Sequence, residues 1–156
     1  MALEIERKFL VQSPPFEEWG EGLRIVQGYL SKERHATVRV RVLGDQGILT
    51  VKGETRGVSR LEFEYSIPLD EAEELLKLCA GGLIEKRRWR VTEGDTVWEV
   101  DRFEGANEGL WIAEVELETE DARYQKPSWI GEEVSHHPQY FNSALARSPY
   151  KSWSDG

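Results

Sequence analysis

The chain contains a single cysteine, Cys79, so no intrachain disulfide can staple it. No run approaches the roughly 20 consecutive apolar residues of a membrane-spanning helix. The stretch from Met1 to Val11 is charged from Glu4 onward and lacks the apolar core of a secretory leader. Basic residues are in deficit: 20 Lys and Arg against 29 Asp and Glu leave a net charge of −9. Such a surface opposes nucleic acid and anionic membrane as partners. There is no glycine loop of the kind that cradles phosphates with backbone amides, no internal repeat, and no Pro/Gly/Ser-rich linker. These absences lead us to expect one cytoplasmic domain spanning 1–156, with neither nucleic acid nor membrane as its partner.

What is present is aromatic and charged. Six Trp, five Tyr and five Phe supply burial that a disordered chain lacks. Charged residues make up 31% of the chain, above the roughly 25% of an average domain. Most segments alternate with a period of two, the mark of strands. Leu3, Ile5, Phe9 and Val11 interleave with Glu4, Glu6 and Lys8, and Val38, Val40 and Val42 with Arg39 and Arg41. Strands are expected at 3–11, 24–31, 36–43, 48–53, 59–67, 84–92, 96–104 and 110–118. A helix is expected from Glu71 to Ala80, with Asp70 as its N-cap and Gly81-Gly82 ending it. A short turn is expected at Phe16 to Trp19. Irregular chain follows Pro127, and a terminal helix runs from Pro138 to about Ala146.

The non-apolar parity of the eight strands carries nine acids and seven bases. They come in blocks of one sign: Glu4 and Glu6, Arg39 and Arg41, Glu62 and Glu64, Lys86, Arg88 and Arg90, Glu99 and Asp101, Glu114, Glu116 and Glu118. Lys8, Gln27, Tyr29, Thr50 and Lys52 share that parity. Alternation alone fits a half-solvated sheet as well as a barrel. Side chains two apart on a strand project the same way, however, so like charges there repel unless a counter-ion sits between them. Paired carboxylates suit a hard cation. Paired arginines suit an anion with several oxygens. Both on one concave surface point to a site for a metal polyphosphate. The expected fold is therefore mainly β (α+β): an eight-stranded antiparallel β-barrel tunnel with a charged interior, covered outside by a few helices.

The segment Glu4-Ile5-Glu6-Arg7-Lys8-Phe9-Leu10 resembles the E-x-E-x-K signature of the CYTH, or triphosphate tunnel metalloenzyme, superfamily. That superfamily includes class IV adenylyl cyclases, thiamine triphosphatases and inorganic triphosphatases. The likeness continues in order through Gln27-Gly28-Tyr29-Leu30, Val38-Arg39-Val40-Arg41, Thr50-Val51-Lys52-Gly53, Glu62-Phe63-Glu64, Lys86-Arg87-Arg88-Trp89, Glu99-Val100-Asp101, Ala113 to Glu118 and Trp129 to Val134. The resemblance implies a tunnel that binds a small-molecule triphosphate with Mg²⁺ or Mn²⁺. It gives Lys8, Arg39, Arg41, Lys52, Lys86 and Arg88 to the phosphates. It gives Glu4, Glu6, Glu62, Glu64, Asp101, Glu114 and Glu116 to metal, directly or through water. Tyr29, on the tunnel parity, is expected to pair with Lys8 to position or deprotonate the attacking water.

The compact chain is most similar to bacterial forms that hydrolyse inorganic tripolyphosphate. Three alternatives stay open: cyclisation of ATP to cyclic AMP, hydrolysis of a thiamine or nucleoside triphosphate, and polyphosphate binding without turnover. The oligomeric state is also open, a homodimer included. His136-His137 reads as surface loop, Cys79 as packing, and the basic run from Lys86 to Arg90 as split over two faces.

Overall fold

The computed structural model describes residues 3–79 and 81–153. Strands β1 (Leu3–Val11), β2 (Leu23–Glu33), β3 (Ala36–Leu43), β4 (Gln46–Gly53) and β5 (Ser59–Ile67) precede helix α1 (Leu69–Leu78). Strands β6 (Ile84–Glu93), β7 (Thr96–Phe103), β8 (Trp111–Glu116) and β9 (Ile130–Glu133) follow, and then helix α2 (Asn142–Arg147). The sheet order β5-β4-β3-β2-β6-β7-β8-β1, with β5 also paired to β1, closes eight antiparallel strands into a ring. Among the described residues no helix is long and apolar enough to cross a membrane.

The closure is short. β1 pairs with β5 only through Leu3, Ile5 and the Glu4–Arg60 register between them. β5 then leaves, and β9 takes the same edge of β1 at Phe9 and Val11. This four-residue strand was expected to be irregular chain; its period is too brief to show in sequence, and the open edge of β1 supplies its partner.

Outside the ring, Phe9, Trp98, Val100, Ala113, Val115 and Trp129 form a buried cluster, with Trp19 and Tyr124 packed against it. Helix α1 lies on β2, β3 and β4, and its close approach depends on glycine. A Cβ on Gly47 would stand 2.7 Å from the Ala72 Cβ, and one on Gly28 would stand 2.8 Å from the Cys79 Sγ. Cys79 is thus a packing residue, its thiol directed to the Leu75 carbonyl. The outer residues Leu61, Phe63 and Tyr65 of β5 remain exposed, so the apolar parity is covered only in part.

Several expected boundaries shift. The capping residue of α1 is Pro68, whose carbonyl accepts from the Ala72 amide. Asp70 lies within the first turn, where its carboxylate accepts from the adjacent Glu71 amide. The expected last helical residue, Ala80, lies outside the described residues. β8 ends at Glu116, short of the expected Glu118, although the Leu117 amide still donates to the Ile5 carbonyl in the same register. The terminal helix is broken by extended backbone at Phe141 into a short turn, Pro138–Tyr140, and α2.

α2 also lies in an unexpected place. Its Leu145 and Ala146 pack with Tyr29, Ile84, Phe103 and Ile112, which share strand parity with the charged residues. The inward face is therefore charged over part of its length and apolar at one end, where α2 closes it.

Gly47→Val should push α1 from β4 and destabilise the fold by about 1–3 kcal/mol. Urea denaturation would measure it, and an unchanged midpoint would contradict the packing described.

Candidate active site

The inward side chains line a cavity of about 270 Å³. It receives Glu4, Glu6, Lys8, Tyr29, Arg39, Arg41, Lys52, Glu62, Glu64, Lys86, Arg88, Glu114 and Glu116. Ring order sorts them by sign. Strands β4, β3 and β6, contiguous through β2, supply Lys52, Arg39, Arg41, Lys86 and Arg88. The facing arc of β7, β8, β1 and β5 supplies Glu99, Glu114, Glu116, Glu4, Glu6, Glu62 and Glu64, with Lys8 and Arg60 set among them.

Register makes the ion pairs. Lys8 stands opposite Glu114, Lys52 opposite Glu62, Arg88 opposite Asp101 and Glu4 opposite Arg60. The Lys8 ammonium donates to Glu114 and lies 3.4 Å from Glu6. Lys52 Nζ bridges Glu4 at 3.2 Å and Glu62 at 3.3 Å. Arg88 forks onto both oxygens of Asp101 at 2.7 and 2.8 Å, and reaches Glu114 at 3.1 Å. Such pairing offsets the cost of burying charge.

Two arginines depart from this pattern. Arg41 is 7% exposed. Its Nε donates to the Gln27 side-chain oxygen at 2.7 Å, and among the described residues no carboxylate lies within salt-bridge reach of it. Burial, with Arg39 and Arg88 nearby, pushes its guanidinium down to about 9. Arg39 has a buried Nε without a hydrogen-bond partner among the described residues. Its ion-pair partner is Glu64, 3.8 Å away, whose side chain is 51% exposed. The basic arc therefore holds cationic capacity that the protein's own acids do not satisfy, a donor set suited to an anion with several oxygens.

The acidic arc shows the converse excess. Glu6 stands opposite Glu116, and Glu99 opposite Glu114. Burial and the charges of Glu114 and Glu4 raise the Glu6 carboxyl to about 7. Burial and four neighbouring glutamates raise Glu116 as well. These are hard oxygen donors with surplus negative charge, a donor set that suits a hard divalent cation. Among the described residues no three of them converge as a preformed ligand set. Glu4, Glu62 and Glu114 are instead held by Lys52, Arg60, Lys8 and Arg88.

Two expected roles meet a different geometry. Asp101 does not line the cavity; it is 1% exposed behind the basic arc, with Lys86 Nζ 2.7 Å away and Arg88 forked onto it. Those cations hold its carboxyl down at about 2. Among the described residues Tyr29 makes no hydrogen bond to Lys8, although both line the cavity. Its hydroxyl accepts from the Gln27 amide at 3.1 Å and its ring joins the apolar end of the ring, while Lys8 is held by Glu114 and Glu6.

Other lining residues escaped the sequence reading. Arg60 shares the parity of Glu62 and Glu64, a signal that was available. Phe141, which caps α2, and Asn142, its first residue, also reach in, where strand parity offers no guide. The Asn142 carbonyl oxygen accepts from Lys86 Nζ at 2.8 Å and from Gln27 at 3.0 Å. His136 and His137 are exposed loop residues, and of the basic run only Lys86 and Arg88 line the cavity.

The buried charges give the metal-free, ligand-free protein a specific pH profile. Glu6 and Glu116 hold more protons folded than unfolded, so stability falls as pH rises from the ordinary carboxylate range to about 7. Lys86, lowered to about 7 chiefly by burial, and Arg41 hold fewer protons folded than unfolded, so stability rises again above 7. Thermal midpoints should therefore pass through a minimum near pH 7, and Glu6→Gln should flatten the acidic limb. A monotonic profile from pH 5 to 9 would contradict these assignments.

Residues 2–147 match the CYTH domain family. The chain is 47% identical over 156 residues to an inorganic triphosphatase of Acetivibrio thermocellus, covering 99% of this chain and 100% of that protein. It is 37% identical over 150 residues to an inorganic triphosphatase of Nitrosomonas europaea, covering 93% and 97%. A solved structure of an inorganic triphosphatase superposes with a TM-score of 0.65 at 33% identity, covering 97% of this chain and 99% of the other. With its ring of eight strands and its inward-facing acids and bases, the chain belongs to the CYTH family.

Proposed function

We propose that this protein is a cytoplasmic, divalent-metal-dependent inorganic triphosphatase that cleaves tripolyphosphate to pyrophosphate and orthophosphate. The observation that carries this reading is Arg41, a buried guanidinium without a carboxylate, beside the part-satisfied Arg39. The names of the two relatives, both inorganic triphosphatases, support the substrate.

In this mechanism Arg39, Arg41, Lys52, Lys86 and Arg88 hold the phosphate oxygens, and Asp101 braces Lys86 and Arg88 from behind. As phosphate oxygens engage Lys52, Glu4 and Glu62 are relieved of it. Glu4, Glu6, Glu62, Glu64, Glu114 and Glu116 are then the oxygen donors available to Mg²⁺ or Mn²⁺. When bound, the metal supplies charge neutralisation at the transferring phosphoryl group and lowers the pKa of a coordinated water. Lys8, whose proton affinity is raised by Glu114 and Glu6 despite burial, stays protonated and orients a phosphate oxygen. A carboxylate of the acidic arc that is not taken up by the metal would accept the proton of the attacking water. The water oxygen bonds to the terminal phosphorus, the bridging P–O bond breaks, and the basic arc neutralises the departing pyrophosphate.

Purified protein should release phosphate from tripolyphosphate in Mg²⁺ or Mn²⁺, and EDTA should abolish it. ATP and thiamine triphosphate should be poorer substrates, and no cyclic AMP should form. Arg41→Ala should lower kcat/KM by about 10²–10³-fold, the loss typical of one transition-state donor. Cyclic AMP with pyrophosphate as the products, or a folded Arg41→Ala enzyme of full activity, would overturn the assignment.

A further inference from the structure

A second cavity, of about 510 Å³, opens beside the chamber. It lies between the β4–β5 loop and the segment leading into α2, where β1 exchanges β5 for β9 as its neighbour. The two cavities share Thr37, Arg60 and Phe141. A neck of about 20 Å³ lies between them, touching Glu4, Glu6 and Lys8 of the chamber and Thr55, Gly57 and Ser135 of the second cavity. The Phe141 ring borders all three spaces and lies 5.9 Å from Lys8 Nζ.

This side cavity has the opposite charge balance to the molecule. Lys32, Arg34, Arg60 and Arg147 line it against Glu33 and Glu54, an excess of two positive charges in a chain of net charge −9. Arg34 and Arg60 are partly neutralised by Glu54 and Glu4. Lys32 and Arg147 have no ion pair among the described residues. At the other end of the chamber the exposed carboxylates of Glu64 and Glu99 are taken up by Arg39 and Arg88, at 3.8 and 3.4 Å. At the side cavity a polyanion meets cations and hydroxyls.

We propose that the side cavity is an anion vestibule, a phosphate-binding subsite from which inorganic phosphates exchange with the chamber when the neck at Phe141, as it stands wide enough for about one water, widens. The ligand class is an inorganic phosphate oxyanion, either the incoming triphosphate or the outgoing orthophosphate. As a route to the chamber, this rests on the triphosphatase reading; the binding of phosphate does not.

The test uses Lys32→Glu/Arg147→Glu, with the milder Arg147→Gln beside it, both at positions outside the chamber. If the vestibule receives incoming substrate, kcat/KM for tripolyphosphate falls about fivefold or more at low ionic strength, and the deficit shrinks in high salt. If it holds outgoing product, kcat/KM is kept and inhibition by orthophosphate weakens. Either result supports the proposal; a salt-independent loss, or no change in either quantity, overturns it. Independently of turnover, orthophosphate added to the wild-type protein in EDTA should shift the backbone amide resonances of Ser135, His136 and Ser143, and the double variant should lose the shifts. Unshifted amides would overturn the subsite even in an active enzyme, and shifted amides would support it even if tripolyphosphate were not hydrolysed.

Discussion

Closing a sheet around its charged face fixes everything else about this protein. Inside the ring, water cannot screen the side chains as it does on an open sheet, so each buried charge needs a partner or costs several kcal/mol. Strand register meets most of that demand by placing lysines and arginines across from glutamates and Asp101. The remainder, Arg41 and much of Arg39 on one arc and the crowded Glu6 and Glu116 on the other, is unmet by the protein itself. An anion and a cation arriving together satisfy both arcs at once. The fold is thus complementary to a metal triphosphate by charge before any detail of shape is considered.

The ion pairs play two roles in this account. They make the charged interior tolerable in the free protein, and they hold Lys52 and Lys8 in place for phosphate. Carboxylates held by lysine are weaker metal donors than released ones, so phosphate and metal should favour each other's binding. Asp101 stands apart: with two cations on its oxygens and 1% exposure, it is a brace that keeps Lys86 and Arg88 aimed inward. Asn142 plays a similar part from α2, tying the apolar end of the ring to Lys86 and Gln27.

Much of this could be read in the sequence because a strand's period of two separates its faces without knowledge of its neighbours. The alternation of Glu4, Glu6 and Lys8 with Leu3, Ile5 and Phe9 is local, and so is that of Arg39 and Arg41 with the valines. Other features depend on what a strand lies beside. Nothing local says that Asp101 is forked by Arg88, or that Tyr29 packs at the apolar end with its hydroxyl on Gln27. The placement of α2 over Tyr29, Ile84 and Phe103 follows from those inward apolar residues, which look in sequence like ordinary core. β9 is too brief to show a period, yet it decides where the wall opens toward the side cavity. Arg60 is different: its parity with Glu62 and Glu64 was visible and marks it as part of the lining.

On binding, triphosphate should replace the protein's own carboxylates on its buried bases. A crystal structure with tripolyphosphate and Ca²⁺, a hard cation chosen to retain the substrate, would show it. Phosphate oxygens are expected within hydrogen-bond distance of Arg39, Arg41 and Lys52, with Glu4 and Glu62 withdrawn from Lys52 and at least one carboxylate of the acidic arc on the cation. A triphosphate bound outside the chamber, with the Lys52–Glu4 and Lys52–Glu62 pairs intact, would contradict it.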